Sequence, residues 1–342
     1  MNTVSDAGRI ALDYAPVMAQ SLWVQDGHYD VRDFLTLVNM MNSWEDVPCN
    51  YQAVTIDGYK QAPFRFKPVV YWWAMASKSH TFIGYAFYRP YDWCADFWRI
   101  VKSFRESDEH ANDMEGVVLM VNHETQKVEA LFAVAHWDII PFLYPLDRDH
   151  SKFHRTSDLI KRPERTLRVY DYDKDVGVYV HSAAGSHALD CWSVSGRVCK
   201  WMQRSLKGEV VSGMLYSAGY ANNHCEYPDA FYLRGMQVVA YRLEHIGDEH
   251  SLLLRRGQKP FMLDNSGVEV FASYDPRLQK VVSGKAVPPW MWASCNDREN
   301  RGQLFWRPDR LADRYLDGAR VNTEMVWSTL GDMNDERLTE LL

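Results

Sequence analysis

Apolar residues in this chain gather in short, dense runs that polar residues punctuate. Lys67 to Met75 and Thr81 to Tyr88 are aromatic and β-branched almost throughout, and Ser77-Lys78-Ser79-His80 lies between them, as between the arms of a hairpin. Glu115 to Asn122 and Val128 to His136 repeat the arrangement around His123-Glu124-Thr125-Gln126. Arg168 to Tyr172, Val176 to Val180, Val238 to Arg242 and Val268 to Phe271 read as further short strands. Helical spacing is scarcer. It predicts a short helix over 30–42, which Asp30 can cap, and amphipathic helices over Asp309 to Leu316 and Asn322 to Leu330. Many short strands with few long helices predict an all-β fold, a β-sandwich with peripheral α-helices. No internal repeat divides the chain. It reads as a single decorated sandwich over 1–342, with an N-terminal segment 1–50, a sandwich core 51–275 and a C-terminal extension 276–342 with short helices.

The motifs of several common enzyme classes are missing. There is no G-x-G-x-x-G, no phosphate-binding P-loop and no G-x-S-x-G. Acidic residues outnumber basic ones, 45 to 38, so a phosphate-backbone footprint is not expected and nucleic acid is excluded as a partner. No apolar stretch is long enough to predict a transmembrane helix. The start, Met1 to Asp6, is not a basic segment leading into an apolar run, so no secretory signal is expected. The six cysteines are scattered and none falls in a C-x-x-C pair, which suits free thiols in the cytoplasm better than a zinc ribbon or a disulfide framework. Aromatic residues reach 13%, with 13 Trp and 19 Tyr, and such side chains favour β packing and the walls of binding clefts.

The segment richest in chemistry runs from Asp108 to Gly116 and leads into the apolar strand Val117 to Val121. On a strand, residues i and i+2 share a face, so Asp113 and Glu115 point together while Met114 points into a core. His110, placed in the turn before, can fold toward the same face. Two carboxylates and an imidazole converge favourably when a divalent cation lies between them. Oxygen and nitrogen donors without sulfur suit Mg2+, Ca2+ or Mn2+, with Fe2+ behind them. Spacing alone also permits an ordinary acidic loop entering a strand.

The same segment resembles the G-H-R-H-D-W-E motif of the necrosis- and ethylene-inducing-like proteins, with His110, Asp113 and Glu115 on its first His, its Asp and its Glu. Upstream, Tyr85 to Asp92 is similar to that family's Y-x-W-Y-x-P-x-D strand end. Downstream, Val178 to Ala188 is similar to the V-Y-x-A-x-G-S-H-A segment of vacuolar-sorting-related proteins, which resemble it further in Tyr14-Ala15-Pro16 and Pro288 to Trp292. The resemblance implies a β-sandwich that holds one divalent cation at its rim through Asp92, His110, Asp113 and Glu115. Three departures stand out. Asn112 replaces the motif's second His, Met114 replaces its Trp, and the interval from Asp92 to His110 is longer, so Asp96 or Asp108 could take the place of Asp92.

The resemblance also places His187 near the cation, where it could move a proton. His187 and Glu115 are therefore the candidate catalytic residues. His181 shares a face with His187 only if the turn between them does not reverse the chain. His123 reads as solvated, His136 as a weaker candidate, and Trp290 and Trp292 as core or as walls of a ligand site. His224-Cys225 is a poor nucleophile pair because chain neighbours rarely orient as base and nucleophile. The basic stretch Lys152 to Arg168 reads as a solvated connection. Two functions compete: metal-dependent hydrolysis or elimination on a small polar molecule, and cation-dependent binding of a glycan or lipid headgroup without chemistry.

Overall fold

The computed structural model describes residues 4–25, 28–29, 33–36, 38, 54–55, 68–92, 110–135, 138–143, 178–191, 209–218, 231–233, 236–247, 252–253, 256, 261–275, 278, 280–284, 286–293, 302–315, 321–322 and 324–330. Helix α1 (Val4–Asp13) comes first. It is followed by β1 (Val17–Gln25), β2 (His28–Tyr29), β3 (Val54–Thr55), β4 (Val69–Ser77), β5 (His80–Asp92), β6 (His110–Asn122), β7 (Val128–Ala135) and β8 (Asp138–Leu143). Next are β9 (Tyr179–Ser182), β10 (Leu189–Cys191), β11 (Glu209–Ala218), β12 (Phe231–Leu233), β13 (Met236–His245), β14 (Phe261–Leu263), β15 (Glu269–Asp275) and β16 (Lys280–Ser283). The short helices α2 (Gln303–Trp306) and α3 (Pro308–Tyr315) precede the last strand, β17 (Met325–Ser328). The fold is all-β with a few short helices at its margin.

One sheet runs β10-β9-β1-β11-β13-β4-β5-β6-β7-β8, with β2, β3, β12 and β17 paired off this path. It is curled, so that β10, at one end of the order, lies against β6 and β7 near the other. Antiparallel ladders join β4 through β8, whereas β1 with β9, β11 with β13, and β13 with β4 pair parallel. A second, three-stranded antiparallel sheet, β14-β15-β16, packs across β6.

Both faces of the main sheet are covered, which explains why its strands read as continuous apolar runs rather than alternating ones. All nine residues of β4 are buried. Val69, Tyr71, Trp73 and Met75 enter one core with the small sheet and the C-terminal helices. Val70, Trp72 and Ala74 enter the other, inside the curl, with α1. Trp290 and Trp292 belong to the first core, at 1% and 0% exposure, and do not wall a ligand site.

Gly116 is what lets Trp292 lie flat on β6: a Cβ there would stand 2.0 Å from the indole and 2.5 Å from the Tyr85 carbonyl oxygen. Because one of those neighbours is backbone, the clash cannot be relieved by turning a side chain. Gly116→Ala is expected to lose about 1–3 kcal/mol of stability, the usual cost of overpacking, seen as a lower urea midpoint at unchanged slope.

Two expected helices are not formed as such. Asn322 to Leu330 contains strand β17, antiparallel to the end of β4 (Met325 with Ser77, Ser328 with Met75). That half of the β4 edge is free because β13 pairs only with Val69 to Trp72, and edge pairing outweighs a helical spacing only nine residues long. Residues 33–36 and 38, the described part of 30–42, are not α-helical. They are tied across the strands, Thr36 N donating to the Tyr88 carbonyl at 3.1 Å and Leu35 N to the Tyr216 hydroxyl at 3.2 Å. Helix α3 matches the expectation for Asp309 to Leu316 within a residue at each end. The strand expected at 168–172, the basic stretch, His136, His224, Cys225, Asp96 and Asp108 lie outside the described residues. Among the described residues no helix is long and apolar enough to cross a membrane.

Candidate metal centre

Strands β5 and β6 pair without interruption of register from His80 with Asn122 to Asp92 with His110. Asp92 and His110 therefore face each other at the last rung, although 18 positions separate them in the chain. His110 is not in a turn, as expected from the sequence, but is the first residue of β6.

Regular alternation would put His110 and Asp113 on opposite faces, since they are an odd number of residues apart. Asn112 removes that obstacle. Its φ is +64°, the left-handed region, which interrupts the pleat between them. Asparagine is among the side chains that tolerate this conformation best. Here its side chain is also held, the Tyr88 hydroxyl donating to Oδ1 and Nδ2 donating to the Ala272 carbonyl of the small sheet.

As a result, ligand atoms of Asp92, His110 and Asp113 lie within 4.8 Å of one another. That is the span across one ion whose bonds are ~2.1–2.6 Å long, the range of magnesium and calcium with oxygen. His110 Nε2 is 3.5 Å from Asp92 Oδ2, and its Nδ1 is 3.2 Å from the Asn112 carbonyl oxygen. An Nδ1–H donated to that carbonyl leaves Nε2 as the ligating nitrogen, the arrangement that fixes the ring of most metal-bound histidines. Asp92 and His110 are partly exposed, at 15% and 11% of their side chains, so the site can be reached from solvent. The donor set, two carboxylates and one imidazole, fits a hard divalent cation.

Behind this rim the polar residues are buried. Asp113 is 5% exposed and Glu115 3%, and both lie on the inner face, while Met114 enters the opposite core, as the spacing implied. Glu115 is not among the three residues whose ligand atoms converge. His187, also at a positive φ of +50°, is fully buried between two carboxylates: Nδ1 is 2.8 Å from Asp113 Oδ2 and Nε2 is 3.2 Å from Asp33 Oδ1. Asp33 Oδ1 also accepts from the Gly185 N–H at 2.8 Å, which fastens the turn that carries His187. Burial pushes the Asp113 carboxyl up, but the hydrogen bond and charge of His187, with His110 and Arg89 behind them, outweigh it and hold the group below its ordinary value.

The turn after β9 does reverse the chain, Ser182 pairing with Leu189 in β10, so the condition for His181 and His187 to share a strand face is not met. His181 instead meets Ser21, whose Oγ is 2.7 Å from its Nε2. His123 Nε2 is 2.9 Å from Thr81 Oγ1, so it is anchored at the hairpin end of β5 and β6 rather than merely solvated.

Sequence reasoning missed Asp33, Arg89, Gln20 and Ser182. Arg89 carries a signal, a charge that directly follows the apolar run Phe82 to Tyr88 in β5. Ser182 lies in the segment that carries His187 but was not singled out, and Asp33 and Gln20 sit in segments whose pattern says nothing of the site.

No protein-family model matches the chain, and no curated protein matches it. Among solved structures, it is similar to necrosis- and ethylene-inducing protein 2 from the causal agent of cocoa's witches' broom disease, at 21% identity and a TM-score of 0.23, over 37% of this chain and 46% of that one. A structure described as a toxin fold for microbial attack and plant defence matches at 16% identity and a TM-score of 0.31, over 56% and 69%. NLPPya in complex with glucosamine matches at 16% identity and 0.27, over 54% and 66%. The chain thus spans less than half the length of the first of these. These are loose, partial matches, and the candidate metal centre rests on its own geometry.

Proposed function

We propose that this chain is a divergent member of the necrosis- and ethylene-inducing-like superfamily, and that it binds one divalent cation and through it a small polar, oxygen-rich molecule such as a sugar. The observation that carries the reading is the convergence of Asp92, His110 and Asp113 at a partly exposed strand end. In this reading Glu115, at the remaining position of the family motif, completes the set from the same buried face. When bound, the cation supplies open positions at which hydroxyl or carbonyl oxygens of the ligand can coordinate. The chain's own contribution is to hold the donors in place, through Asn112 for His110 and through His187 and Asp33 for Asp113.

Retention fits better than turnover. Hydrolysis or elimination would call for a group that exchanges protons with the site, and His187 has no exposed surface and both ring nitrogens set against carboxylates. It is suited to orienting Asp113.

The test is binding of a panel of simple sugars and amino sugars, measured by titration calorimetry with calcium, with manganese and with chelator. Binding is expected with cation, lost in chelator, and lost in Asp113→Asn. Sugar binding that chelator leaves unchanged would contradict the reading.

A further inference from the structure

Arg89 is fully buried inside the curl of the sheet, next to the carboxylates of β6. It is the cross-strand partner of Asp113, and Phe87, two residues back on the same face, is the partner of Glu115. A buried guanidinium ordinarily lies in close contact with an anion. This one does not. Among the described residues its bonds all go to neutral groups: Nε and Nη2 donate to Gln20 Oε1 at 3.1 and 2.9 Å, and Nη2 also reaches Ser182 Oγ at 2.8 Å and Met18 Sδ at 3.1 Å. Nη1 is buried without a hydrogen-bond partner among the described residues. These bonds fix the group from β1 and β9, across the interior from its own strand, and leave its charge unspent. The nearby carboxylates whose fields favour its charged form are Asp113, Glu115 and Asp33.

We infer that Arg89 is a resident cation of the metal centre: its buried positive charge neutralises Asp113 and Glu115 when no metal is bound, so the site stays formed while empty and binds a divalent cation weakly and reversibly. The inference rests on the proposed cation site and says how that site is regulated. Arg89 is a positioning residue here and touches neither metal nor ligand. The reasoning is Coulombic. Like-signed charges in a poorly screened interior raise each other's cost, so an incoming divalent ion shares its carboxylates with Arg89 against repulsion. Remove the guanidinium, and the carboxylates depend on the metal alone.

Three proteins separate charge from hydrogen bonding: the wild type, Arg89→Met, which keeps length without charge, and Arg89→Lys, which keeps charge without the planar fork. Calcium and manganese affinities are measured by titration calorimetry, and melting temperatures with and without chelator. Arg89→Met is expected to bind both cations roughly ten- to a hundredfold more tightly, and to show a much larger drop in melting temperature on chelation than the wild type. Arg89→Lys is expected to stay within about threefold of wild-type affinity, because the charge is kept. Folding of Arg89→Met only when calcium is present throughout purification is the same outcome in its strongest form. The inference is overturned if Arg89→Met binds no more tightly than the wild type, if Arg89→Lys behaves like Arg89→Met, or if both variants fail to fold even with calcium, which would make the hydrogen bonds the residue's whole purpose. If the wild type itself binds neither cation, the proposed cation site fails, whatever the variants do.

Discussion

Asp113→Ala is expected to abolish the heat of cation binding and to cost about 3–5 kcal/mol of stability, the usual loss when one partner is removed from a buried charged set. Asp113 is the residue at which the two halves of the centre meet. One side faces Asp92 and His110, within 4.8 Å, and the other faces His187 Nδ1 at 2.8 Å. Its removal takes a proposed ligand from the rim and strips His187 and Arg89 of a buried countercharge at once. Asp113→Asn separates charge from packing. The amide keeps volume and one oxygen but not the charge, so most of the stability loss is expected to remain and cation binding stays lost. Urea unfolding in chelator measures the first quantity without the second. An Asn variant as stable as the wild type there would mean that Asp113 serves packing rather than charge.

Acid is expected to weaken the fold in two steps, the first of them set by His181. Burial, with the field of Arg89 added, pulls this imidazole from 6.5 down to about 4. It is 7% exposed, with Nε2 2.7 Å from the Ser21 hydroxyl oxygen, so a proton added to the ring would sit in a poorly solvated site. The folded value lies below the unfolded one, so the unfolded chain binds the extra proton first. The stabilisation is complete above about pH 6.5, is lost as pH falls, and is gone by about pH 4, a total on the order of 3 kcal/mol. Asp113, also held below its ordinary value, adds a second loss only below the carboxylate range, near pH 4 and under. Urea midpoints measured from pH 7.5 down to about pH 2.5 in chelator test this. His181→Gln should flatten the slope between pH 6.5 and 4 and leave the steeper fall below it. A variant whose curve runs parallel to the wild type would show that His181 is not the group responsible.

How much of this was legible depends on how far each feature is local. The hairpins β4–β5 and β6–β7 could be read because each is an apolar run bounded by a polar turn. The shared face of Asp113 and Glu115 could be read because it depends only on the pleat. The arrival of His110 beside Asp113 could not be derived from spacing, since it turns on the left-handed backbone at Asn112, which looked like a mere departure from a motif. Helix α1 was missed because its buried face is made largely of Ala7 and Ala11, a weak apolar signal. Strand β1, in the segment set apart as N-terminal, lies inside the main sheet between β9 and β11, pairings that join residues more than 150 positions apart. Arg89 meets Gln20 and Ser182 in a similar way: those two are paired between β1 and β9, and the curl of the sheet sets β5 opposite them.

The most direct measurement is anomalous diffraction from crystals grown with manganese. The account predicts one strong peak at the β5–β6 strand end, ~2.0–2.6 Å from carboxylate oxygens of Asp92 and Asp113 and from Nε2 of His110. Crystals of protein saturated with manganese that show no peak there, or show it at another set of side chains, would contradict it.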